Sequence, residues 1–371
     1  VTAGIRLHAD VRRRLLVPRL TVTVLLVLSV VLAVWAFTGA AASPAGTVPL
    51  TPDAAVHSFL AGYVAPDGRV VRKDQGSDTV SEGQAYAMLM AAAVGDRNHF
   101  MTVWDWTESH LLEPNGLLAW HWAGGRVVDA QPAADADVGT AAALVMASRR
   151  FGDPDLLAAG QNLAAAVVSH ETAPSPYGRT LVAGPWAVAP TKYVDPSYLA
   201  PAELDELAAA FGAPWPALAT AARSELRTLT SNGDLPPDWA VIASDHLVHP
   251  AAAPGSPGQP AVFGFDAARA PIWMGTSCSA SLRQAAAGLL PAFGRGAGEV
   301  ELNLGGHPAP GVSSPLGLLG RAGAEWGAGR TNAAWSDLRH AARADQQHPT
   351  YYASAWVVIT LLAFDHVLGS C

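Results

Sequence analysis

The chain has 371 residues, half of them apolar and only 15% charged, which is enough for one large domain with a substantial core. Its formal net charge of -8 argues against nucleic acid and against an anionic membrane surface as the main partner, because both reward clustered Lys and Arg. A neutral or cationic substrate fits better.

Near the N-terminus, Arg12, Arg13, Arg14 and Arg19 precede an uncharged run over 20–42 that is rich in Val and Leu and ends in Ala40-Ala41-Ala42. A basic flank, an apolar run and small residues are the three parts of an export signal, and this run is close to the roughly 20 residues that span a bilayer. The expectation is a signal peptide or transmembrane anchor over 1–45, with the Arg cluster in the cytoplasm and one domain over 46–371 outside, either secreted or anchored to the membrane by that segment alone. Whether the run is cleaved stays open. Cys278 and Cys371 are the two cysteines; they show none of the spacings that hold zinc, and either one disulfide or two buried thiols would suit them. No metal or cofactor is expected, and the domain is expected to be a monomer.

Helical patches then recur between Gly and Pro punctuation. They cover 81–93, 99–112, 138–150, 155–169, 202–211, 215–229, 267–290, 315–325, 333–343 and 351–368. Pro201 before one of them and Gly212 after it mark its boundaries. The apolar run 353–364 is too short to span a membrane and reads as a core helix. Alternating runs of β-branched residues are scarce, with 69–72 and 239–243 among the few strand candidates. The fold class is therefore all-α. Ten or so helices in one domain suggest a toroid of helix hairpins, although periodicity alone does not separate that from another helical array.

Three acidic segments stand out in a chain so poor in charge. Thr79 and Glu82 have capping-box spacing, which would make Glu82 a structural residue. Gly83 argues otherwise, since Gly early in a helix costs up to about 1 kcal/mol relative to Ala and makes sense where something approaches the backbone closely. Asp135 and Asp137 precede the small residues Ala141-Ala142-Ala143; one could cap a helix, but both cannot. Asp266 and Arg269 are spaced to meet on one helical face, as a local ion pair or as a carboxylate oriented by a guanidinium. Most of the Trp residues read as core. Trp120-His121-Trp122 cannot point both indoles inward, so one of Trp120 and Trp122 is a candidate platform for a sugar face.

Together these segments resemble glycoside hydrolase family 8, inverting endo-acting enzymes built on an (α/α)6 barrel. The stretch 133–151 is similar to the family signature through Ala133, Asp135-Ala136-Asp137, Ala141, Ala143-Leu144-Val145, Ala147 and Phe151, with Ala134 and Thr140 as departures. Ser81-Glu82-Gly83-Gln84-Ala85-Tyr86 resembles the segment of the general acid, and Phe265-Asp266-Ala267-Ala268-Arg269 that of the base, with Arg269 orienting it. Asp195-Pro196-Ser197-Tyr198 is similar to an Asn-Pro-Ser-Tyr element whose Tyr helps hold the attacking water; Asp195 replaces the Asn. Pro236-Pro237-Asp238-Trp239 and Tyr351-Tyr352 also match family segments.

The resemblance implies Glu82 as acid, Asp266 as base, and Asp135 either directly catalytic or, as favoured here, gripping the distorted sugar. Asp137, Tyr198, Arg269, Trp120 and Trp122 are the expected substrate contacts. A separation of about 6.5 to 9.5 Å between the carboxyls of Glu82 and Asp266 would leave room for a water. A β-1,4-glucan such as cellulose is the expected substrate, with chitosan, xylan and mixed-linkage glucan as alternatives within the family. A catalytically silent glycan-binding surface protein is the rival from another class.

Overall fold

The computed structural model describes residues 51–368 except 244, 246, 257 and 297. The basic cluster and apolar run of the N-terminal segment lie outside the described residues, as do Cys371 and any bond from it to Cys278. Among the described residues no helix is long and apolar enough to cross a membrane.

Helices α1 (Pro52–Tyr63), α2 (Ser81–Val94), α3 (Arg97–Leu111), α4 (Ala134–Phe151), α5 (Pro154–His170), α6 (Pro201–Phe211) and α7 (Trp215–Leu229) are followed by α8 (Ala270–Thr276), α9 (Ala280–Ala287), α10 (Leu290–Gly296), α11 (Pro315–Gly327), α12 (Thr331–Gln347) and α13 (Tyr351–Phe364). Among them α13, α2, α4, α6, α8 and α11 each pack against the next, and α11 returns to α13, closing an inner ring. An outer helix backs each part of it: α1 lies on α13 and α2, α3 on α2 and α4, α5 on α4, α7 on α6, α9 on α8 and α11, and α12 on α11 and α13. This is the double ring of an (α/α)6 barrel.

Sequence decides which helices go inside. In α2 and α13 apolar and small residues occupy every side, so both are buried along nearly their whole length, as a helix pressed between barrel interior and outer ring must be. The outer α7 and α12 bury one stripe, Leu218, Ala222 and Leu226 in the first and Leu338, Ala341 and Ala342 in the second, and turn polar faces to water.

The connections are asymmetric. Chain reversals from inner to outer helix are short, over 95–96, 152–153, 212–214, 277–279 and 328–330. Among the described residues, every strand falls instead in a connection leading from an outer helix back into an inner one. These are β1 (Thr79–Val80), β2 (His121–Ala123), β3 (Arg126–Asp129), β4 (Thr172–Ser175), β5 (Gly178–Leu181), β6 (Lys192–Val194), β7 (Trp239–Ile242), β8 (Val248–Ala251), β9 (Glu299–Leu302) and β10 (Pro308–Ser313). They form two antiparallel three-stranded sheets, β1-β2-β3 and β6-β7-β8, and the hairpins β4-β5 and β9-β10. The strands therefore gather where the inner helices begin.

Most expected helices match within a few residues. The single helix expected over 267–290 is instead a 3-10 turn, Ala267–Arg269, then α8, α9 and the start of α10. The chain has to pass from the inner ring to the outer one there, and Ser279 makes the break by accepting the Leu282 N–H at the start of α9. Of the two strand candidates, 239–242 is β7, whereas 69–72 contributes only the bridges Val64–Val70 and Arg72–Asp78. Helix α1 was not anticipated.

Glycines set the closest approach in the inner ring. A Cβ on Gly275 of α8 would fall 1.9 Å from the carbonyl oxygen of Gly323 in α11, and one on Gly323 would fall 2.5 Å from that of Pro271. Gly275→Ala should therefore force the two helices apart and destabilise the domain by about 1–3 kcal/mol, the range for overpacking a filled core. Urea titration followed by circular dichroism measures this, and an unchanged midpoint would contradict the close contact.

Candidate active site

Glu82 and Asp135 occupy the second positions of α2 and α4, Asp195 and Tyr198 stand just before α6, Asp266 and Arg269 just before α8, and Tyr351 and Tyr352 open α13. The barrel thus collects residues distant in sequence at one set of helix N-termini. Thr79 does not cap α2: its hydroxyl donates to the carbonyl of Val70 at 2.6 Å, and the N-cap position is Val80, which has no side chain to do so. Glu82 is therefore free of the capping role its spacing allowed. Gly83 is required for the approach anticipated from its small size, since a Cβ there would sit 2.8 Å from the hydroxyl of Tyr351.

Arg269 organises the cluster. Its side chain is 3% exposed. Nη1 donates to Asp135 Oδ2 at 2.8 Å and to the hydroxyl of Tyr86 at 3.0 Å, while Nη2 donates to Asp266 Oδ1 at 3.2 Å and lies 3.8 Å from Asp195 Oδ2. Tyr198 and Trp356 set their rings against the guanidinium, whose carbon is 5.2 and 5.8 Å from the two centroids. Asp266 also accepts from the Tyr352 hydroxyl at 3.2 Å, again on Oδ1. At 36%, its side chain is far more exposed than those of Asp135 and Asp195.

Several carboxyls around one guanidinium cannot all ionise cheaply. Burial and then the charge of Asp135 push Glu82 up to about 7, against the pull of Arg269 and Arg72. Burial also raises Asp135, although Arg269 opposes this by charge and by its hydrogen bond. Asp195 is raised well above the usual carboxyl range by burial and by Asp266; its Oδ1 accepts the N–H and hydroxyl of Ser197 at 2.8 and 2.6 Å. A Glu82 raised towards neutrality beside an arginine-bound Asp135 is the arrangement that general acid catalysis needs.

Asp137, expected to contact substrate, is corrected by the structure. It is 0% exposed, accepts the N–H of Leu118 at 2.8 Å and faces Glu171, which is itself fully buried. Two residues apart on a helix point to nearly opposite faces, so with Asp135 on the cleft Asp137 is turned into the wall. The two indoles of the expected platform also part company. Trp122 packs edge-on against Trp106 and His110, with centroids 5.5 and 5.1 Å away. Trp120 is half-buried and its carbonyl accepts the N–H of Ser81, so it stands beside the start of the Glu82 helix.

Tyr86 and Tyr352 carry contacts that sequence reading did not assign. Tyr86 is one helical turn after Glu82, a spacing that puts it on the same face. Tyr352 stood in a Tyr-Tyr pair similar to a family segment, which assigned it no role.

A family model described as "Glycosyl hydrolases family 8" matches residues 26–297. Among curated proteins, the "Probable endoglucanase" of Novacetimonas hansenii is 39% identical over 127 residues, 32% of this chain and 35% of that protein. The "Endoglucanase" of Salmonella typhi is 33% identical over 195 residues, 49% of this chain and 52% of that protein. The chain thus spans between a third and about half the length of these relatives. Among solved structures, endo-β-1,4-glucanase CMCax from Acetobacter xylinum superposes with a TM-score of 0.68 at 25% identity, covering 85% of this chain and 99% of that one. Endoglucanase Cel10 from Klebsiella pneumoniae does so with a TM-score of 0.69 at 22% identity, covering 84% and 98%.

The buried Asp137 and Glu171 give a signed pH effect. Burial raises both well above their ordinary values of 3.8 and 4.5. The stability they contribute is complete below those values and is lost as pH rises through the folded ones. Asp137→Asn keeps the acceptor for Leu118 and removes one titration, so its urea stability should fall less steeply than wild type between about pH 5 and 9. Equal slopes would show that this pair does not carry the effect.

Proposed function

The chain belongs to glycosyl hydrolase family 8, and from that membership and its carboxyl arrangement we propose that it is an inverting, endo-acting glycoside hydrolase of β-1,4-glucan chains. The observation that carries the reading is the placement of Glu82 and the arginine-held Asp266 at one set of helix N-termini, with burial and Asp135 pushing Glu82 up to about 7. Glu82 donates that proton to the glycosidic oxygen as the bond to the leaving sugar breaks. Asp266 takes a proton from a water attacking the opposite face of the ring. Among the described residues its protein hydrogen bonds, from Arg269 and Tyr352, both fall on Oδ1, which leaves Oδ2 for that water.

Asp135, fixed by Arg269, grips hydroxyls of the distorted sugar, and its charge helps Glu82 keep its proton. Tyr198, stacked on the guanidinium, borders the position of the attacking water. Trp120 supplies an apolar face beside Glu82.

The relatives named endoglucanases support β-1,4-glucan as substrate. The net charge of -8 favours a second candidate, cationic chitosan. The Arg12 to Arg19 cluster and the apolar run after it support a site of action outside the cytoplasm, on a secreted or membrane-anchored enzyme.

Reducing-sugar release from carboxymethylcellulose, chitosan, xylan and mixed-linkage glucan selects among the substrates, and proton NMR of the first products should show the α-anomer from a β-linked chain. Release of the β-anomer would rule out inversion. Glu82→Gln should lower kcat by about 10²–10⁴-fold without changing the thermal midpoint; a variant that stays active refutes the acid role. Wild-type activity should fall as pH rises through about 7, where Glu82 loses its proton. A rate that stays flat to pH 9 would contradict that assignment.

A further inference from the structure

Asp238 lies behind the turn that carries Asp266 and is 3% exposed. Its Oδ1 accepts the N–H of Gly264 at 3.0 Å and that of Ala267 at 2.7 Å. Those amides bracket Phe265 and Asp266, so one oxygen ties both ends of the turn together. The Asp238 N–H donates in turn to the carbonyl of Val262 at 2.8 Å, and Phe263 exchanges backbone bonds with Leu302 of β9 at 2.9 and 3.1 Å. Gly264 is the residue that permits this: a Cβ there would lie 2.1 Å from Asp238 Oδ2. Asp266 needs such support, because its own side chain is partly exposed and its two protein bonds are both 3.2 Å long. The place of its carboxylate is therefore set mainly by its backbone.

We infer that Asp238 is the positioning residue of the catalytic base, fixing the Asp266 carboxylate through the amides of Gly264 and Ala267. This rests on the reading of Asp266 as base. Burial first, then Asp266 and, more weakly, Glu301, push Asp238 up to about 8 against its two amide bonds, so near neutrality it is a neutral acid. Asparagine then reproduces both its shape and its charge and keeps the bridging oxygen. Alanine removes the bridge.

The test compares Asp238→Asn and Asp238→Ala with wild type, Glu82→Gln and Asp266→Asn, on the best polysaccharide of the panel and on β-cellobiosyl fluoride. Fluoride leaves without a proton from an acid but still needs water activated by a base. Asp238→Asn should keep kcat within about threefold. Asp238→Ala should lose about 10²-fold in kcat, the cost of misplacing a reacting group by an ångström, with KM changed less than threefold. It should lose as much on the fluoride, like Asp266→Asn and unlike Glu82→Gln.

If Asp266→Asn is inactive while Asp238→Ala keeps its kcat, or raises KM alone, the inference falls and the reading of the base stands. It falls equally if the asparagine variant is as slow as the alanine one. If wild type is inert on every substrate, or Asp266→Asn remains active, the base assignment itself is wrong and the inference goes with it. Should the alanine variant not fold, Asp238→Ser, whose hydroxyl is too short to span both amides, is judged by the same criteria.

Discussion

A single buried guanidinium holds this site together. Arg269 takes Asp135 from α4, Tyr86 from α2 and Asp266 from its own 3-10 turn, and it lies near Asp195 at the entry to α6. Taking such a charge out of water costs several kcal/mol, which only close opposite charge and filled hydrogen bonds offset. The inner helices must therefore bring their N-terminal ends to this point, or the arginine is left uncompensated. Lysine could supply the charge but not the fork, because the contacts run to different elements along different N–H directions. The barrel's closure and the ionic cluster constrain each other: ring packing fixes where the carboxyls stand, and the guanidinium penalises any arrangement that moves them away.

The same geometry gives the two neighbouring acids different electrostatic surroundings. A helix N-terminus favours the ionised form by about 0.3–1 kcal/mol. Holding Glu82 at about 7 instead of its ordinary 4.5 takes roughly 3 kcal/mol, so burial and the neighbouring Asp135 outweigh the dipole. Asp135 begins α4 as Glu82 begins α2, yet it has what Glu82 lacks, a direct bond from Arg269. Two acids in equivalent positions of neighbouring helices thus differ in electrostatics because one is paired with the guanidinium and the other is not.

Much of the fold was legible because inner and outer helices differ in composition. The all-apolar α13 and the striped α7 read differently in sequence and lie in different rings. The break at 277–279 was not legible, since Ser-Cys-Ser within an Ala-rich stretch carries little more than the cap of Ser279. For the site, apart from the family resemblance, Asp266 and Arg269 showed only the i, i+3 spacing of a surface ion pair. That pair does form, but the contacts of Arg269 to Asp135 and Tyr86 bridge more than a hundred residues and leave no local trace. Asp137 looked as eligible as Asp135 because sequence does not say which side of a helix faces the cleft, while Asp238 stood in a Pro-Pro-Asp-Trp segment similar to the family's that assigned it no role.

Asp195, where the family element has an asparagine, follows from the same charge arithmetic. An ionised carboxylate there would add a further anion to those already sharing Arg269. Its Oδ1 is occupied by Ser197, and Oδ2 is buried with no hydrogen-bond partner among the described residues. Burial and the charge of Asp266 resolve this by pushing its carboxyl well above the ordinary range. A neutral acid has the outline of an amide, with one acceptor oxygen and one group that can donate. The substitution therefore keeps the hydrogen-bonding shape of asparagine and leaves the guanidinium to Asp135 and Asp266, where the chemistry proposed for this site requires it.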